Sequence, residues 1–205
     1  EVLRTGSLTI SGKKYATQNI NFNRDANLTV TLSGASLWSD PASSPLDDLQ
    51  DWSQSIMQKT GVYANDVVMT VDVWKVFRKK DSVKALLDRV RGNSTMVTDA
   101  NKAEGGTFKG EIDGFNIFVY SGWYLDDDGV EQPIFPAGTL IMAGTQIEGV
   151  QAFGAIKDEE AGFQAIPKYS KSWVNKDPSV RYLLTQSAPL VVPTRVNASF
   201  AATVL

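Results

Sequence analysis

Cysteine and histidine are both missing from this chain of 205 residues. Without thiols there is no disulfide framework, no thiolate nucleophile and no zinc–thiolate site, so stability has to come from packing or assembly. Without imidazole the commonest general base, the Ser-His-Asp arrangement and most nitrogen-ligated metal sites disappear. Carboxylate or Ser/Lys hydrolysis survives only if the groups converge. The acidic run Asp158-Glu159-Glu160 sits in a predicted turn, where sequential side chains cannot flank one bond. The expectation is a protein without catalytic residues, cofactor or metal.

Positive charge is also scarce. With 20 Lys and Arg against 23 Asp and Glu the formal charge is −3, which argues against a protein whose main business is gripping phosphates. No window approaches the roughly 20 apolar residues of a membrane span, and Glu1-Val2-Leu3-Arg4-Thr5 has no signal-peptide pattern. Asp126-Asp127-Asp128-Gly129 lacks the spacing of a calcium loop and reads as a hairpin turn. Gly105-Gly106 is not followed by the Lys-Ser/Thr of a phosphate loop. The Asn-X-Ser/Thr triplets at Asn27, Asn93 and Asn197 carry little meaning without secretion. No repeat of fixed period is evident.

What is present is ordinary globular composition, 42% hydrophobic and 21% charged, in an α+β order. Residues 1–34 read as extended ribbon: Leu8 and Ile10, Ile20 and Phe22, then Leu28, Val30 and Leu32 alternate with polar neighbours, with turns at Ser11-Gly12-Lys13 and Arg24-Asp25-Ala26-Asn27. Such a ribbon must lie against its own domain's sheet or a neighbouring subunit. Ser44 as cap, Pro45 at the first position, Asp47 and Asp48 in the first turn, the stripe Leu49, Trp52, Ile56 and the stop Gly61 predict a helix of about four turns. Val67-Val68-Met69 reads as a strand. A short helix follows, then a second from Asp81 to Gly92 with Val83, Leu86, Leu87 and Val90 on one side. Lys75, Arg78, Lys79, Lys80 and Lys84 form a basic surface without the aromatics of a nucleic-acid platform. Asn93 to Gly110 reads as a loop, Ile112 to Tyr120 as one strand joined through the Asp turn to Val130–Phe135, and Gly149 to Lys157 as another strand. Two β-type runs, Val180 to Leu184 and Val196 to Leu205, close the chain around Pro189 and Pro193.

Several stretches resemble the lambda-type major capsid proteins of tailed bacteriophages. They are Asn65 to Phe77, Ile112 to Tyr120, Tyr169-Ser170-Lys171-Ser172-Trp173, Asp177-Pro178, Ser187-Ala188-Pro189-Leu190 and Arg195, and with their spacing they cover roughly residues 5–205. The resemblance implies the tailed-phage capsid fold: residues 1–34 as an extended β-hairpin loop, 35–61 as a peripheral domain with the spine helix, 62–168 as the axial domain, and 169–205 as strands returning to the peripheral domain. It also implies that the family's N-terminal arm is absent or truncated and that Leu205 is a natural terminus. Some related shells cross-link a loop lysine to a neighbour, which puts Lys13 and Lys14 in view, although no matching acceptor environment is seen.

The function implied is structural: copies of the chain form hexamers and pentamers of an icosahedral phage or prophage head. Partners would be itself and scaffolding, portal and decoration proteins, with packaged DNA touched only indirectly and no membrane. The location would be the virion capsid, and the bacterial host cytoplasm during assembly. Removing residues 1–34 is expected to leave a folded but assembly-defective core. Because Trp and Arg dominate energetic hot spots, the interface candidates are Arg24, Trp38, Trp52, Trp173, Arg181 and Arg195. Ordinary core packing is the alternative for each tryptophan, a solvated surface for each arginine. A β-rich tail or surface binding module, and a carboxylate- or Ser/Lys-dependent hydrolase, are the competing readings.

Overall fold

The computed structural model describes residues 1–12, 15–91, 102–103, 106–126 and 128–205. They divide into two compact units, Glu1–Ile147 with Arg195–Leu205 (unit 1) and Glu148–Thr194 (unit 2).

Unit 1 begins with a single helical turn, α1 (Val2–Thr5), which period-2 reading overlooked. An antiparallel hairpin of β1 (Ser7–Gly12) and β2 (Tyr15–Asn21) follows, and then β3 (Thr29–Thr31). The N-terminal ribbon therefore has two fates. The hairpin is a sheet of its own, whereas β3 is an edge of the main sheet and runs parallel to β15 (Ser199–Thr203).

Leu28 is fully buried in the core, Val30 and Leu32 pack against it, and Lys59 pairs with Asp25 at 2.7 Å. This corrects the expectation that residues 1–34 could be removed without opening it. Lys13 and Lys14 lie outside the described residues.

Helix α2 (Pro45–Thr60) forms where its signals place it. Gly61, at φ +69°, returns its N–H to the Met57 carbonyl at 2.8 Å, and Leu49, Trp52 and Ile56 are buried. Helix α2 packs on β15, with Trp52 stacked on Phe200 at 5.0 Å between ring centroids, so the long helix and the last strand share one core.

The seven-stranded mixed sheet is ordered β3-β15-β10-β4-β7-β6-β5. Its other strands are β4 (Asp66–Thr70), β5 (Lys102–Ala103), β6 (Gly106–Ile112), β7 (Phe115–Tyr120) and β10 (Thr139–Ala143). Met69 opposite Leu140 and Val119, and Val67 opposite Met142 and Ile117, bring one face of the sheet into the core. Each such side chain contributes about 1.5–3 kcal/mol by leaving water.

Helices α3 (Val71–Phe77) and α4 (Asp81–Arg91) connect β4 to β5, with Val73, Phe77 and Val83 buried. Lys80, read as part of a basic surface, is instead spent on the Asp40 carbonyl and on Ser43 Oγ, the latter at 2.8 Å. The expected stop at Gly92 and most of the Asn93–Gly110 loop lie outside the described residues. The part from Gly106 onward is strand.

Ile112 to Tyr120 is not one strand. Asp113 and Gly114 have φ of 53° and 79°, the geometry of a type I′ turn, and fold β6 back on β7. The aspartate turn does make a hairpin, between β8 (Trp123–Leu125) and β9 (Glu131–Pro133). Asp126 Oδ1 accepts the Val130 N–H at 2.8 Å and the Asp128 N–H at 3.0 Å, and the former chiefly holds its carboxyl below the usual range.

Unit 2 holds β11 (Gly149–Phe153) paired antiparallel with β14 (Pro189–Pro193), and β12 (Tyr169–Asn175) paired with β13 (Val180–Gln186). The four segments implied by the resemblance divide the chain along other lines than these two compact units. Cuts after residues 34 and 61 fall inside unit 1 and a cut after 168 falls inside unit 2.

Candidate subunit interface

The six candidate residues separate into two groups. Trp38 and Trp52 are in the core of unit 1, stacked on each other at 6.0 Å and 9°, with Trp38 also 5.6 Å from Phe77. The Trp38 indole N–H donates to Asp48 Oδ2 at 2.7 Å. Burial, opposed by that bond, raises the Asp48 carboxyl above its usual value.

Arg24 is also turned inward. Its guanidinium donates to the carbonyls of Leu3, Leu28 (2.7 Å) and Ser199 (2.9 Å), and burial lowers its pKa to about 10. It lies over Gly6, where a Cβ would stand 2.4 Å from Arg24 Cβ and where φ is +70°, so only glycine fits. These three interface candidates are turned inward in the chain itself, which for the two tryptophans is the core-packing alternative. Large aromatic rings are taken up where a sheet and helix close on one another, and the Arg24 guanidinium turns three of its N–H groups to carbonyls of its own chain.

Trp173, Arg181 and Arg195 are exposed. Arg195 stands at the start of the 3-10 turn Val196–Ala198 in unit 1. Trp173 and Arg181 belong to the β12–β13 ribbon of unit 2, which carries most of that unit's unsatisfied surface. Its register puts Trp173 against Tyr182, stacked at 5.4 Å, and Lys171 against Leu184 on one face. Val174 opposite Arg181 and Ser172 opposite Leu183 are on the other.

Trp173 is 48% exposed, Val174 53% and Leu183 80%. A solvated ribbon alternates apolar and polar sides, and a free two-stranded ribbon is marginal in water. Here apolar side chains stand on both sides. Ile156 is the only buried hydrophobic residue of unit 2, so the unit has almost no interior of its own.

Near the base of the ribbon Lys171 pairs with Asp158 at 2.5 Å and lies 3.8 Å from Glu160. Their hydrogen bond is the main cause that lowers the Asp158 carboxyl and raises the Lys171 ammonium from their usual values. The acidic run is thus a clasp on the ribbon.

Two further exposed apolar groups were missed from sequence. One is Trp123, Tyr124 and Leu125 on the β8–β9 hairpin, which the alternation signal had no reason to distinguish from core strand. The other is a groove of about 390 Å³ lined by Gln50, Ser53, Gln54, Met57, Tyr63, Asp113 and Phe115, between α2 and the β6–β7 turn. Among the described residues no cluster of three potential metal ligands is present, and no helix is long and apolar enough to cross a membrane.

A closed α+β unit together with ribbons and hairpins whose apolar sides stand uncovered is the class of protein that the described residues define. Comparison with known proteins gives that class a family. The family model described as phage major capsid protein E matches residues 1–204. The major capsid protein of Escherichia phage lambda is 32% identical over 195 residues, 91% of this chain and 56% of that protein. The major capsid protein of Escherichia phage N15 is 31% identical over 92% of this chain and 56% of its own length. A crystal structure of a prophage capsid protein from E. coli CFT073 superposes with a TM-score of 0.81 at 24% identity, covering all of this chain and 60% of the other, and establishes the shared fold. The chain belongs to the phage major capsid protein E family. It spans a little over half the length of the curated relatives it matches.

Proposed function

We propose that this chain is a structural shell protein of a phage or prophage head, whose copies associate as hexamers and pentamers of an icosahedral capsid around DNA. The observation that carries the reading is the family match over residues 1–204. The ribbon of unit 2, with apolar side chains on both faces in a unit that buries a single hydrophobic residue, supports assembly rather than life as a monomer. Contacts of this kind are obligate and run to about 2,000 Å² or more. The role is architectural: no reaction is assigned to the chain, and scaffolding, portal and decoration proteins are further partners of the same assembly. With a net charge of −3, contact with packaged DNA is indirect. Assembly takes place in the host cytoplasm.

Electron microscopy of the purified protein across a concentration series tests this. Capsomers or uniform closed shells are expected, and a monodisperse monomer at the highest concentration overturns the proposal.

A further inference from the structure

A ring of identical subunits needs two different, complementary patches on each copy, because the contact runs head to tail. Unit 1 and unit 2 each present one. The face of the β12–β13 ribbon that carries Leu183 also carries Arg181 and Val174, with Arg181 two residues from Leu183 on the same strand and therefore on the same side. Leu183, at 80% exposure, is the most exposed large apolar residue described.

With Lys171 already paired to Asp158, Lys176 and Arg181 against Asp177 leave the ribbon net basic by one in a chain of −3. The groove beside α2 is concave and carries a carboxylate. Met57, Tyr63 and Phe115 supply apolar walls. Asp113 stands among them, held by the Gln50 amide at 2.7 Å, and Asp47 and Asp51 are each one turn from Gln50 and Gln54 on the same helix.

We propose that the β12–β13 ribbon of one copy docks in the α2 groove of a second copy, with Leu183 entering between Met57 and Tyr63 and Arg181 meeting Asp113. This rests on the shell-protein reading and gives it a specific contact. Concavity singles out the groove. The β8–β9 hairpin is also apolar and acidic, but a projecting hairpin offers no cleft to a projecting ribbon.

The absence of cysteine makes the contact directly testable. Leu183→Cys and Met57→Cys proteins are prepared separately, mixed under mild oxidation and resolved on a non-reducing gel. A 183–57 dimer in preference to 183–183 or 57–57 dimers is expected. Its absence under conditions where the wild type assembles overturns the docking while leaving the shell reading intact, whereas a wild type that never associates overturns both. An intrachain link in the doubly substituted protein at high dilution would assign the ribbon to its own copy and overturn the proposal. So would protection of the thiol at 183 in a monomer extended to the relatives' full length.

A double-mutant cycle supplies the second readout. Arg181→Gln and Asp113→Asn should each raise the concentration needed for assembly about tenfold, and the double variant no further, as for a directly paired couple. Asn is chosen at 113 because it tolerates the positive φ there. Losses that multiply independently would overturn the Arg181–Asp113 pairing.

Discussion

Strands β10 and β13 are both apolar-rich, and they end in opposite circumstances. Thr139–Ala143 is flanked on both edges, by β4 and β15, and its Leu140 and Met142 are fully buried. Val180–Gln186 has a neighbour on one edge only, and Leu183 stands in solvent. What separates them is not composition but the number of elements that return to cover them. Unit 1 recruits strands from residue 29 to residue 203 into one sheet, while unit 2 pairs strands within Glu148–Thr194 and finds no helix to lay on them. Under the proposed assembly the closed unit carries the stability and offers a groove, while the open one supplies the ribbon.

The largest expected effect tests the closed unit. Trp38→Ala should cost about 4 kcal/mol of unfolding free energy by denaturant titration, since it empties a fully buried ring position and removes the donor to Asp48. Arg24→Met should cost about 3 kcal/mol, because the Leu3, Leu28 and Ser199 carbonyls lose a charged donor. If either changed assembly without changing stability, the division of labour between the units would fail.

The open unit should behave in the opposite way. Replacing residues 169–186 by a short Gly-Ser turn should move the unfolding free energy of unit 1 by no more than about 0.5 kcal/mol while abolishing capsomers in sedimentation. A large loss of stability would show that the ribbon is part of the core after all.

The smallest effect is a pH response at the base of the ribbon. Asp158 has a folded pKa below its usual 3.8, so its ion pair contributes fully above that value and fades as pH falls through the depressed one. Lys171 has a folded pKa above 10.5, so its contribution is complete below that pH and is lost as pH rises through the raised value. Because Lys171 sits 5.8 Å from the Trp173 ring centre, the Trp173 indole resonance should titrate in the acid limb, and Asp158→Asn should abolish that titration.

Helix α2, strand β4 and the Asp126 turn were legible because their signals are local: a cap and a glycine stop, a short β-branched run, a side chain that accepts its own neighbours' N–H groups. The Asp113-Gly114 turn was just as local. Its signal was overridden by the density of apolar residues, Ile112, Phe115, Ile117 and Val119, although their alternation slips by one residue at the turn.

The interface was read less well, for a physical reason. Trp38, Trp52 and Trp173 are the same residue type, and nothing near them in sequence says which will be covered. Trp38 and Trp52 are covered by Phe77 and Phe200, the latter far along the chain. The fate of β3 was hidden likewise, since its partner β15 is about 170 residues away and parallel.

That last pairing bears on how the protein is made. β15 lies between β3 and β10, and the Ser199 carbonyl completes the set held by Arg24, so neither the sheet nor the arginine's coordination can close until that strand has left the ribosome. During synthesis β10 has one bare edge and Arg24 lacks one of its acceptors, a state open to mispairing with other nascent chains. Folding of the body is thereby delayed until the ribbon of unit 2, which is encoded before β15, already exists. The ribbon proposed to join copies is therefore exposed in an unfinished subunit before that subunit can be stable.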